Sequence, residues 1–126
     1  EKMPDLLLPW IETMTAGLPS YSHDGMKRVT LRMLMRSPLP IQNLGLLMNT
    51  CFDWLTSPDE AVASKVYAME ILYRMSQAEP DLKKELADSI EWRMNEETAG
   101  FRSKGRKILQ KINKDLRDLQ QDSLFL

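Results

Sequence analysis

Apolar residues along this chain recur at spacings of three and four rather than two. Between 41 and 56 they fall at Ile41, Leu44, Leu47, Met48, Cys51, Trp54 and Leu55, and between 101 and 119 at Phe101, Ile108, Leu109, Ile112, Leu116 and Leu119. Such spacing lines one side of a helix with hydrocarbon and leaves the other side to water. No stretch of alternating β-branched residues is long enough for a strand. Gly and Pro punctuate the chain at helix-sized intervals: Pro4 and Pro9 open a first segment that Gly17 and Pro19 close, Pro38 and Pro40 close a second, Ser57-Pro58 opens a fourth and Pro80 a fifth. The pattern predicts an all-α chain of six helices at about 5–16, 23–36, 41–56, 58–77, 80–95 and 98–120.

Capping signals agree with those limits. Ser57-Pro58-Asp59-Glu60 combines an N-cap serine, proline at the first helical position and glutamate at the third, so that hydroxyl and carboxylate can each satisfy a backbone N–H the helix leaves unpaired. Asp5 and Thr98 are weaker caps. Pro9 falls late in the first turn of a helix begun at Asp5, so that helix either starts at Leu8 or kinks.

Residues also match at a spacing of 37. Arg28, Lys65 and Arg102 are basic, Leu34, Ile71 and Ile108 are apolar, as are Met35, Leu72 and Leu109, and Leu31, Ala68 and Gly105 form a series that shrinks along the chain. Among the first helices, Phe52-Asp53-Trp54 echoes Ile90-Glu91-Trp92 at 38. The physical reading is an α-α superhelix of three antiparallel helix pairs, at about 5–36, 41–77 and 80–120. One pair cannot cover both of its apolar faces, whereas stacked pairs share a continuous core. Helix 58–77 suits an internal place because its apolar surface is broad, and helix 98–120 suits an end because its outer face is charged.

Asp59-Glu60-Ala61-Val62 through Lys65, Ala68 and Leu72 resembles the second helix of a HEAT repeat: an acid at the start, a base mid-helix and a small residue one turn later. More widely, Leu7-Leu8-Pro9-Trp10, Cys51-Phe52-Asp53-Trp54-Leu55, Lys65-Val66-Tyr67-Ala68-Met69, and Ala99-Gly100-Phe101 with Lys104 and Arg106 resemble a group of bacterial HEAT-like proteins. The resemblance to the HEAT/armadillo class implies an all-α solenoid, a non-enzymatic scaffold or adaptor, a protein or peptide partner, no cofactor and a cytoplasmic location. It also implies ~60 further residues ahead of Glu1, about one and a half more repeats. Gly105 departs from the pattern, since a helix interior favours Ala there. An adenylosuccinate lyase assignment finds no support. That family implies far longer chains, more than one histidine and a mobile serine-containing loop.

Composition narrows the function classes. The chain has 126 residues, with 17 Lys plus Arg against 18 Asp plus Glu, a net charge of −1. That excludes a uniformly basic nucleic-acid binder, though not a locally basic face. One Cys and one His leave neither a disulfide framework nor a zinc cluster. No apolar stretch is long enough to span a bilayer. The first residue is Glu, so the chain is expected to be the C-terminal part of a longer one.

The candidate residues each carry a plain reading as well. His23 has no nucleophile in view and reads as a cap or surface residue. Cys51, between Met48 and Trp54, reads as a small core hydrophobe, and Trp54 and Trp92 as rings wedged between pairs. Arg28, Lys65 and Arg102, with Arg106, are the candidate contacts to a partner or a phosphate. The alternative is that the ladder bonds to acids of adjacent pairs and fixes their register. Ser22, Asp59 and Glu96, each six residues earlier, supply the acceptors for that role. Charge is uneven too: residues 79–97 carry seven acids and three bases, and residues 98–117 seven bases and one acid. Neighbouring helices of opposite sign could satisfy each other, or the last helix could touch nucleic acid.

Overall fold

The computed structural model describes residues 8–17, 24–36 and 43–124. Six helices follow one another: α1 (Leu8–Gly17), α2 (Asp24–Arg36), α3 (Leu44–Thr56), α4 (Val62–Ser76), α5 (Asp81–Arg93) and α6 (Ala99–Leu124). A 3-10 turn at Met94–Glu96 extends α5. α1 begins at Leu8, so Pro9 occupies the first turn, where its missing N–H deprives no carbonyl of a partner. Ahead of α3, Asn43 takes the left-handed conformation at φ 62° that asparagine tolerates. Its carbonyl accepts from Leu47 N at 2.9 Å and starts the helix. Thr98 caps α6, its Oγ1 accepting from Phe101 N at 3.3 Å.

The expected capping box at 57–60 does not form. α4 begins at Val62, and Ser57 Oγ instead accepts from Asp59 N at 3.2 Å in a short turn. Glu60 is thereby released from the helix start and becomes available to a different pair.

α1 packs on α2, α3 on α4 and α5 on α6, giving three antiparallel pairs. α2, α4 and α6 lie side by side in one layer, and α1, α3 and α5 in the other. α4 touches α2, α3, α5 and α6, which explains its broad apolar surface: Ala68, Met69, Ile71, Leu72 and Met75 are all buried. Leu31, Leu34, Leu47, Leu55, Leu86, Ile90, Phe101 and Ile108 complete one continuous core. Each such side chain contributes about 1.5–3 kcal/mol on leaving water. Cys51 lies within it, fully buried, and burial pushes its thiol far above the ordinary range.

The pairs correspond, but not at one spacing. From α4 to α6 the step is 37: buried Ala68 and Ile71 map onto buried Gly105 and Ile108. From α2 to α4 the burial pattern fits 38 instead, with Lys27, Leu31 and Leu34 taking the places of Lys65, Met69 and Leu72. The expected first rung, Arg28, is exposed, and Lys27 is the buried one. From α3 to α5 the step is 39, placing Leu47 with Leu86, Cys51 with Ile90 and Trp54 with Arg93. Trp54 is therefore 7% exposed, while Trp92, expected to be wedged, is 69% exposed on the outer side of its layer. Gly105 has a packing reason: a Cβ there would stand 3.0 Å from Ile90 Cγ2 and 3.1 Å from Met94 Sδ, so glycine lets α6 approach α5 closely.

Candidate functional site

Two polar joints hold the pairs in register. In the first, Lys27 Nζ of α2 meets Glu60 Oε1 in the α3–α4 connection at 2.6 Å and stands 4.9 Å above the Trp54 ring. The ring's negative face favours that cation. In the second, Lys65 Nζ of α4 reaches across to Glu97, ahead of α6, at 3.0 and 2.8 Å from its two oxygens. Arg93 donates to the same carboxylate through Nε at 3.0 Å and Nη2 at 2.7 Å, and Nη1 reaches Glu96 at 3.2 Å. Burial alone would raise the Glu97 carboxyl, but the hydrogen bonds and charges of Lys65 and Arg93 outweigh it and hold it below the usual glutamate range.

Lys65 is thus 3% exposed and engaged with both Glu97 oxygens, so its ammonium is not on the surface. Arg102 is half-buried and donates to the Glu97 carbonyl. Arg106, exposed, corresponds to buried Met69 of α4, so Arg102, Arg106 and Leu109 form the face that α4 turns toward the next pair. Arg28 lies elsewhere, on the outer side of the second-helix layer. The four candidates do not converge on one place. The acceptors lie one residue beyond those expected, at Glu60 and Glu97 rather than Asp59 and Glu96. Ser22 and His23 lie outside the described residues.

Opposite charge on α5 and α6 is not satisfied across their contact as expected. The one α5–α6 ion pair among the described residues has the reverse polarity, Lys83 to Asp115 at 3.8 Å. Lys83 also donates to Ser76 O at 2.7 Å, and Tyr73 Oη to Asp115 Oδ2 at 2.6 Å, tying α5 and α6 to the C-terminal part of α4. The remaining charge is sorted by side. On the outer side of α5 stand Glu85, Asp88 and Glu91, exposed beside Lys84, with Asp53 exposed on α3.

The second-helix layer carries the reverse sign. Arg28 and Arg32 of α2 correspond to Val66 and Glu70 of α4, which stay partly exposed even though α4 has neighbours on each side. They therefore face outward. On α6 the matching positions are Ser103 and Lys107, flanked by Lys104 and Lys111, which correspond to Tyr67 and Arg74. Glu70 is the only acid among these positions, and Lys104 pairs with it. Arg28, Arg32 and Lys107 have no carboxylate within ion-pairing distance among the described residues. Arg32 was not singled out in the sequence, and Lys107 and Lys111 were read only as members of the basic stretch 98–117, not as partners of Arg28. Their spacing from Arg28 and Lys104, three, four or seven residues, is the signal that could have found them.

Recesses open the surface at several places among the described residues, one of about 220 Å³ lined by Gln77, Pro80, Lys83, Asp115, Asp118 and Leu119. A larger one of about 440 Å³ opens where α4 turns into α5, lined by Leu44, Met48, Met75, Ala78 and Leu82, with Glu79 and Asp81 as its acids. A shallower one of about 250 Å³ lies among Val62, Ala63, Val66, Tyr67 and Gly100. The latter two bring together no nucleophile, base and orienting group of the kind that acid–base or covalent chemistry requires, and in the first, Lys83 and Asp115 are engaged with Ser76, Tyr73 and each other. Among the described residues, no cluster of His, Cys, Asp and Glu could hold a metal ion, and no helix is long and apolar enough to cross a membrane.

Two layers of antiparallel helices, with buried joints recurring from pair to pair, define an α-α repeat protein. A family model describing a HEAT repeat domain matches residues 1–112, and the chain belongs to that family. No curated relative and no solved structure matches it.

Proposed function

We propose that this chain is a non-enzymatic interaction module, a scaffold or adaptor, whose second-helix layer receives a protein partner. The observation that carries this reading is the sorting of charge: Arg28, Arg32, Lys107 and Lys111 crowd one side of the sheet of helices with a single acid, already paired. Surface cations kept together without local acids raise the local potential and steer oppositely charged partners. Membership of the HEAT repeat family supports the same reading. We take the three pairs to be repeats of a single domain belonging to a longer, cytoplasmic protein.

The test is affinity capture from lysate with wild type, with Arg28→Glu plus Lys107→Glu, and with Asp88→Lys plus Glu91→Lys. Partner capture should vanish in the first double variant and persist in the second. The reverse result places the contact on the first-helix layer and ends the proposal. A second reading, a nucleic-acid-binding HEAT module using Arg28, Arg102, Arg106 and the last helix, shares Arg28 and the α6 lysines with the first. A fluorescence titration with duplex and single-stranded DNA at two salt concentrations decides it. No binding at low salt removes it.

A further inference from the structure

We infer that the outer side of the second-helix layer takes an extended acidic segment of a partner protein, laid across α2, α4 and α6 with one apolar side chain seated on α4. This rests on the functional reading above and gives its partner a chemistry. Cations stand in two groups, Arg28 and Arg32 on α2 and Lys107 and Lys111 on α6, with Lys111 Nζ also 5.6 Å from the centre of the Tyr73 ring. The helix between them offers no free charge. Lys65 is buried in its joint, and Arg74 donates to the Leu34 and Met35 carbonyls at 2.8 and 3.0 Å. In their place α4 presents Val62, Ala63, Val66 and Tyr67, which with Gly100 line the recess of about 250 Å³.

Neighbouring helix axes lie about 8–10 Å apart, so the two cationic groups are separated by roughly 16–20 Å. An extended chain covers that with about five or six residues at ~3.3 Å each. Acidic residues at the ends and a hydrophobic one between them match the order of basic, apolar and basic surface. A nucleic acid fits less well, because a charge on every nucleotide calls for an unbroken basic track, and α4 interrupts it. The excess of positive charge on α6 is visible locally. Burial lowers the Lys104 ammonium below the usual lysine range, and the charges of Lys111 and Lys107 lower it further.

The experiment uses a fluorescein-labelled peptide of about eight residues, long enough to overrun both groups, with paired acidic residues at each end and a central leucine. Its anisotropy is followed with the whole chain at low and at physiological salt. Binding should weaken with salt, and should fall about tenfold on replacing the peptide's leucine by serine. It should fall comparably with Arg28→Ala plus Arg32→Ala and with Lys107→Ala plus Lys111→Ala, and hold with Lys84→Ala. Absence of binding at low salt overturns the inference. So does indifference to the central leucine, or equal binding of single-stranded DNA of matching length. A captured partner that depends on Arg28 and Lys107 yet is not displaced by the peptide overturns this inference alone. A partner indifferent to every one of these substitutions overturns the functional reading beneath it.

Discussion

The joint between α2 and the α3–α4 connection and the joint between α4 and the α5–α6 connection use the same two residue types in different company. In the first, Lys27 and Glu60 form a pair of zero net charge, backed by the Trp54 ring. Glu60 Oε2 is buried without a hydrogen-bond partner among the described residues. In the second, the position of Trp54 is taken by Arg93, and Glu97 accepts from two cations through both of its oxygens. An aromatic face and a guanidinium thus serve as alternative supports for one lysine–glutamate contact. The difference lies in what is left when the carboxylate goes. The second joint would retain two buried cations, the first a single lysine over a ring.

That contrast sets the largest expected effect. Glu97→Gln should cost about 3–5 kcal/mol, the usual consequence of stranding buried charge. Glu60→Gln should cost only about 1–3 kcal/mol, since one hydrogen-bonded partner is lost and the ring remains. Urea denaturation of both variants measures the gap, and equal losses would break the comparison. Next in size, Trp54→Ala should cost roughly 3 kcal/mol through the cavity it opens beneath Lys27. Trp92→Ala, at the echoing position in the sequence, should stay within about 0.5 kcal/mol. Thermal denaturation of the pair separates ring burial from mere sequence likeness.

The smallest effect is a pH slope. Glu97 is held below the ordinary glutamate value, so its contribution is complete above the unfolded value of about 4.3 and is lost as pH falls through the folded one. Wild type should therefore lose stability on acidification below that value more steeply than Glu97→Gln. The stability of each, followed by urea titration at stepped pH, gives the difference, and parallel curves would show that the joint does not hold the carboxyl low. Asp115, lowered chiefly by its hydrogen bond from Tyr73, titrates in the same direction in both proteins and cancels.

Much of the architecture was legible because hydrophobic period depends on local geometry alone. The three-and-four spacing of Leu47, Cys51, Trp54 and Leu55 needed no tertiary knowledge to be read as a buried stripe. The basic ladder was legible only as an idea. Its rungs depend on the connections between helices, which alter the step to 37, 38 or 39, and a slip of one residue turns a side chain by about 100° around the helix. Lys27 was missed in favour of Arg28 for that reason, and Trp92 was taken for a second Trp54. The excess of bases at 98–117 was legible, but not how it joins Arg28 and Arg32 on one side, because the sequence alone does not sort two surfaces of opposite sign. Only assigning Glu85, Asp88 and Glu91 to one layer and Arg32, Lys107 and Lys111 to the other separates them.

Arg102 and Arg106 also give the far face of α6 a character unlike that of α4. Where α4 offers Met69 to its successor, α6 offers the exposed guanidinium of Arg106, with no carboxylate in ion-pairing distance among the described residues. Any element laid against that face would have to strip water from Arg106 or bring it an acid. Two arginines where α4 has a lysine and a methionine therefore set what kind of neighbour the last described helix accepts: an acidic or hydrated one in place of a hydrocarbon one.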